Sequence, residues 1–226
     1  MPPGTRTERA GEFADALGRL QRDGGALLVV GATPGATHER ACARMLGSRE
    51  QPRVVCRTDG SCSVGAAHAG PDDRLIDLGI DARGAVASAD DAGGGATVGT
   101  ETGPAAGPER ILTETPAEFG ARVSEAIASL PDDVDDPRVC VDSLLPLVEA
   151  LGEERAFEWY HAVAADVRAA GGVCHAHLPV ARDEELVARF EALVDATVEL
   201  RLVDGRHEQR WFVHDSVTSD WLPLQD

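Results

Sequence analysis

The sequence predicts a three-layer α/β protein with a mainly parallel sheet and an antiparallel hairpin at its C-terminal end. Three observations carry this expectation. Strand-like apolar runs alternate with amphipathic helical segments from Ala26 to Val194. The first run, Ala26–Val30, is apolar throughout, as strands buried on both faces of a parallel sheet are. Finally, "ATVELRLVDGRHEQRWFVHD" sets two strand-like runs around Asp204-Gly205, a strong hairpin signal.

The elements follow in order. Residues 1–10 are expected as a disordered tail. Glu12–Leu20 reads as a short helix with Phe13, Ala16, Leu17 and Leu20 on one face, stopped by Asp23-Gly24-Gly25. After the first strand come a helix over 37–47 and strands at Arg53–Arg57 and Arg74–Leu78. Between Asp81 and Pro108, Gly, Ala, Asp and Thr dominate and apolar bulk nearly vanishes. That composition predicts a flexible acidic insertion at 81–108 within a single domain spanning 11–217. A strand at Arg110–Thr113 precedes the best-signed helix: Thr115 as N-cap, Pro116 at the first helical position, Glu118 completing a capping box, and Phe119, Val123, Ile127 and Leu130 as its apolar stripe. Strand Arg138–Asp142, the segment "SLLPLVEAL", helix Glu154–Ala170, a strand over "GVCHAHLP" and a helix over 183–194 complete the alternation. Residues 218–226 are read as a C-terminal tail.

Composition narrows the function classes. The chain has 226 residues, 43% of them hydrophobic but only 4% aromatic, so its core must be packed from small and branched side chains. Its net charge is −18, from 39 acidic residues against 21 basic ones, and every basic residue is arginine. An acidic, lysine-free surface matches proteins of salt-loving archaea, where molar salt screens self-repulsion; GC-rich coding is another source of arginine in place of lysine. Without lysine there is no Schiff base, lysine nucleophile or phosphate-loop lysine. Nucleic-acid binding is disfavoured, because it rests on cations that release counterions. The five cysteines are scattered and no secretory signal opens the chain, which predicts reduced thiols and a cytoplasmic location. No run approaches the length of a membrane span.

In an open α/β sheet, ligands bind beyond the carboxyl ends of the strands. Three segments should meet there: the turn from Gly31 to His38, Asp142-Ser143, and His175 to Leu178. The glycine turn after the first strand, "VCVDSL" with an acid ending an apolar strand, "GVCHAHLP" and "DATVELRL" followed by "GRHEQRWFV" resemble, in order, the RecA/KaiC-like branch of P-loop ATPases. The likeness spans roughly residues 10–214. Residues 138–214, and the closing "TSDWLPL", also resemble an uncharacterised family of haloarchaeal KaiC-like proteins.

The resemblance implies a turn that holds ATP phosphates, an acid that supports Mg²⁺ through water, and a polar sensor on a later strand. Asp142 matches the acid, Ser143 the serine that follows it, and His177 falls near the sensor. The turn itself departs from G-x-x-x-x-G-K-[S/T]. With one extra residue allowed, His38 stands where lysine belongs and Glu39 where the Mg²⁺-binding hydroxyl belongs; without it, Thr37 and His38 take those places. After the second strand, where KaiC-like ATPases carry a water-activating glutamate, only Asp59 is on offer. ATP hydrolysis is therefore not expected.

Each candidate has two readings. Gly31, Thr33, Gly35 and Thr37 either keep a weak anion site at the helix N-terminus or simply shape a tight turn. Asp142 is either a vestigial ligand or a cap for nearby backbone N–H groups. Arg201, Arg206, Arg210, Trp211 and Trp221 are either interface anchors or packing within this domain. No metal is expected: His175 and His177 share one strand face and Cys174 the other, and zinc needs three or four ligands. Cys140 and Cys174 read as small hydrophobes within strands. The preferred function is a non-catalytic regulatory or scaffolding domain with a protein partner or a second copy, and no cofactor. The alternative is a nucleotide-binding protein or weak ATPase that uses ATP and Mg²⁺, its altered loop completed by a neighbouring subunit's arginine.

Overall fold

Gly25–Val30 (β1) is buried at every position, as an unbroken apolar run requires, and lies inside a sheet of nine strands among the described residues. The computed structural model describes residues 6–47, 51–58, 70, 72–79, 108–130, 136–213 and 217–224. The expected insertion, apart from Pro108, lies outside the described residues, as do Met1–Thr5 of the expected tail. In chain order the elements are α1 (Arg6–Asp23), β1, α2 (Gly35–Met45), β2 (Arg53–Arg57), β3 (Arg74–Leu78), β4 (Glu109–Thr113), α3 (Pro116–Ala128), β5 (Arg138–Val141), α4 (Leu145–Leu151), α5 (Glu153–Ala169), β6 (Val173–Leu178), α6 (Glu185–Glu191), β7 (Ala196–Val203), β8 (Arg206–Val213) and β9 (Leu222–Pro223).

The sheet order is β4-β3-β2-β5-β6-β1-β7-β8-β9. Every pairing from β4 through β7 is parallel, and β7, β8 and β9 pair antiparallel. Strand alternation divides the apolar side chains between two layers. Ala26, Leu28 and Val30 join Phe119, Tyr160, Val163 and Phe190 from α3, α5 and α6 on one face. Leu27 and Val29 join Leu20, Ala41 and Met45 from α1 and α2 on the other. The buried set is rich in Ala and Val, with few aromatics. Asp204 and Gly205 both have positive φ, 50° and 74°, the geometry of a two-residue hairpin turn whose twist matches its strands.

Both ends of β1 are tied down. At its start, the Ala26 N–H donates to Asp195 Oδ2 at 2.8 Å, and the Asp195 N–H returns a bond to the Ala26 carbonyl. Arg168 Nη2 donates to the same carboxylate at 2.9 Å and to the Leu193 carbonyl. Across the sheet, the buried Tyr160 hydroxyl donates to the Leu27 carbonyl at 3.0 Å.

Three elements differ from the sequence expectation. Helix α1 begins at Arg6, so half of the expected tail is helical; Arg, Glu and Ala extend a helix readily beyond the stripe that anchors it. The last helix shortens to Glu185–Glu191, because Leu193 and Val194 bond three residues back and tighten its end. Much of the expected C-terminal tail belongs to the sheet: Gln209 pairs with Leu222, and Leu224 enters the α1–α2 core.

Burial pushes the Cys174 thiol up to about 12 from 9.0, with Tyr160 and Arg168 opposing the shift. Burial likewise raises Cys56 and Tyr160 well above their ordinary values. The folded chain thus holds these protons more tightly than the unfolded chain, so stability is fully present below pH 9 and falls as pH rises toward 12. Denaturant unfolding across that range should show the decline, with a shallower slope in Cys174→Ala. Tyr160→Phe should cost about 1 kcal/mol at pH 7, measured as a lower unfolding midpoint at unchanged denaturant dependence.

Candidate functional site

The carboxyl ends of β1, β5 and β6 adjoin in the sheet, and the turn into α2 rises from the first of them. Gly31 opens that turn at φ 140°, with its backbone against β7: a Cβ there would lie 2.5 Å from the Leu200 carbonyl oxygen. Only glycine fits. Gly35, by contrast, begins α2 with open space where a Cβ would stand, so the turn's shape does not depend on it in the same way.

Three of the turn's N–H groups are bonded within the protein. The Gly31 N–H donates to the Val180 carbonyl at 2.8 Å, the Thr33 N–H to the Gly31 carbonyl at 2.8 Å, and the Thr37 N–H to the Pro34 carbonyl at 2.9 Å. Phosphate cradles need such donors facing outward. Thr37 is fully buried, its hydroxyl 2.8 Å from His207 Nδ1 on β8. His38 is also buried: its Nε2 lies 2.9 Å from the Gly31 carbonyl oxygen and its Nδ1 3.0 Å from His177 Nδ1. A carbonyl only accepts, so His38 Nε2 carries hydrogen; in the neutral ring Nδ1 then accepts from His177 Nδ1–H.

Asp142 follows β5 and is 4% exposed. Its Oδ1 accepts the Thr58 N–H at 2.7 Å and lies 2.8 Å from the Thr58 hydroxyl, which is also 2.7 Å from the Ser143 carbonyl. This carboxylate therefore holds Thr58, the residue that follows β2. Ser143 Oγ accepts the Leu145 N–H at 3.3 Å and supports the entry into α4. Asp59 lies outside the described residues.

Beside the turn, a shallow cleft of about 630 Å³ is lined by Gly31, Ala32, Thr33, Arg182, Glu199 and Arg201, among others. Its arginines are matched: Arg182 pairs with Glu191, and Arg201 with Glu208. On the hairpin, Arg201 and Arg210 stack over the Trp221 ring at 3.8 Å and 4.6 Å, and Arg210 also pairs with Glu199. Trp211 is 9% exposed and meets Phe13 edge-on, while Arg206 is exposed beside the hairpin turn.

Sequence reasoning missed the neighbours of His175 and His177. Cys174 does face the other layer, but Cys140 on β5 and Cys42 on α2 share the histidines' side. Cys42 Sγ lies 3.4 Å from Cys140 Sγ and 3.5 Å from His175 Nε2. The local signal was present as His38-x₃-Cys42, a helical spacing that puts both on one face of α2. The register that brings Cys140 opposite His175 was not local.

Comparison with known proteins agrees with the architecture. The model described as "Family of unknown function (DUF7504)" matches residues 24–200. A search of curated proteins returned no match. Among solved structures, a KaiC-like protein from the hyperthermophilic archaeon Pyrococcus horikoshii superposes with a TM-score of 0.52 at 12% identity, covering 89% of this chain and 85% of that one. Identity that low shows the fold alone: an α/β sheet of KaiC-like type with antiparallel C-terminal strands. With the family model spanning most of the chain, this protein belongs to the DUF7504 family.

Proposed function

We propose that this chain is a KaiC-like domain with a degenerate phosphate loop, which works without ATP turnover as a regulatory or scaffolding protein. One observation carries the reading. Thr37 and His38, one or the other of which stands where a phosphate loop has its lysine, are both buried and bonded to the protein's own His207, His177 and Gly31. The matched arginines of the adjoining cleft leave little charge for an anion. Its acidic, lysine-free composition suits the cytoplasm of a halophilic archaeon, where salt at ~1 M shortens electrostatic reach to about 3 Å. The partner is a protein or a second copy of this chain.

Calorimetry with Mg-ATP and Mg-ADP, in KCl on the order of 1 M to respect that screening, tests the reading. No saturable heat at millimolar nucleotide is expected. Binding that weakens in Asp142→Ala, or turnover that rises with protein concentration, overturns it in favour of a nucleotide site completed between subunits. Asp142 instead holds Thr58, so Asp142→Ala should destabilise the fold by about 1–3 kcal/mol through the Thr58 N–H it leaves without its acceptor, the hydroxyl keeping the Ser143 carbonyl. Thr58→Val should reproduce part of that loss in the same denaturant titration.

A further inference from the structure

Two imidazoles and two thiols meet beneath α2, in a place that is costly for polar groups. Cys42, Cys140 and His175 have no exposed surface and His177 has 1%. Their convergence follows from three independent pieces of geometry. His175 and His177 are two residues apart on β6 and so project to one face. Cys140 on β5 is the parallel-strand partner of His175. Cys42 comes down from α2, the helix that covers this face. Four side chains from two adjacent strands and one helix therefore close on one point, each able to offer an atom within 4.8 Å of the other three.

We propose that Cys42, Cys140, His175 and His177 form a closed tetrahedral site for a zinc ion. Zinc–sulfur bonds of about 2.3 Å and zinc–nitrogen bonds of about 2.0–2.1 Å set tetrahedral ligand edges of about 3.8 Å between sulfurs and about 3.6 Å between sulfur and nitrogen. Here the sulfurs are 3.4 Å apart, and Cys42 Sγ is 3.5 Å from His175 Nε2. These two edges need change by only tenths of an ångström to admit the ion, and the other ligand atoms lie within 4.8 Å of one another. The donor set is soft and complete, with two sulfurs and two nitrogens, which suits a tetrahedral d¹⁰ metal and leaves no coordination position for substrate.

Charge and protons balance. On binding, Zn²⁺ displaces one proton from each thiol, two protons pass to solvent, and two thiolates with two neutral imidazoles leave the buried site uncharged. The surrounding bonds set the histidine tautomer as metal sites require. With His38 Nε2–H held on the Gly31 carbonyl, His38 Nδ1 accepts from His177 Nδ1–H, so the lone pair of His177 resides on Nε2. His38 is then a positioning residue that links the metal to the turn above it. The site stands independently of whether that turn binds nucleotide.

The test uses the full chain without an affinity tag rich in histidine, purified under reducing conditions and without chelator. Elemental analysis should find about one zinc per chain. Cobalt(II) in its place should give the ligand-field and thiolate charge-transfer bands of a tetrahedral S₂N₂ complex, a readout that a merely packed cluster cannot produce. Cys42→Ser and Cys140→Ser should lose the charge-transfer intensity of one thiolate each and bind at least tenfold more weakly. Cys56→Ala and Cys174→Ala, whose side chains face the other layer, should keep the full spectrum. His38→Ala should retain one metal with affinity lowered about 10–100-fold. Should the ligand variants fail to fold, the wild-type protein decides: a chelator should lower its melting temperature and added zinc restore it. Reduced wild-type protein that takes up neither zinc nor cobalt overturns the proposal, as does a Cys42–Cys140 disulfide with no metal uptake after reduction.

Discussion

The constraint on which the rest depends is that β1 has no water on either side. Every polar group at its ends must find a partner inside the protein, since an unpaired buried backbone group costs as much as a lost hydrogen bond. The Gly25 N–H donates to the Gly172 carbonyl, Asp195, held by Arg168, accepts the Ala26 N–H, and the Tyr160 hydroxyl donates to the Leu27 carbonyl. At the other end the same requirement falls on Gly31. Its N–H goes to Val180 and its carbonyl receives both Thr33 and His38. The Gly31 backbone is therefore committed to the protein's own groups.

That inward satisfaction distinguishes this turn from a phosphate loop. In a phosphate loop the nucleotide completes the hydrogen bonding of the turn. Here His38, Thr37 and His207 complete it, and the acid after β5 is taken by Thr58. Beneath the turn, the space between α2 and the sheet is filled by thiols and imidazoles where a core of this kind otherwise packs valine and leucine. A zinc ion bound there ties α2 to β5 and β6, and reaches the turn through His177 and His38.

The C-terminal segment follows similar logic. An antiparallel hairpin leaves an exposed edge that must be covered or blunted. Residues 217–224 return along β8, with a bridge from Phe212 to Thr218 and the Leu222–Pro223 strand. Arg201 and Arg210 lie over Trp221, each also paired with a glutamate. Guanidinium stacking and ion pairing on a hairpin that reads as an interface thus serve first to hold this chain's own last strand.

Periodicity and turn chemistry are short-range, and what depends on them was legible in the sequence. The apolar run of β1, the Thr115–Glu118 cap, the Asp204-Gly205 turn and the βα alternation all appear in the structure where local residues placed them. The segments after β1, β5 and β6 also lie at one end of the sheet, as expected, because the strand order sets those three strands side by side. The sequence by itself also determined that no lysine could serve the turn. Only the tertiary structure decided where the polar side chains of the site go: His38 inward to His177, Thr37 to His207, Asp142 to Thr58, and Cys42 and Cys140 onto the two histidines. His38–His177, Thr37–His207, Thr58–Asp142 and Cys42–His175 are separated by 139, 170, 84 and 133 residues along the chain, and strand register and helix crossing, which join them, are set by the packing of the whole sheet rather than by any neighbouring residue.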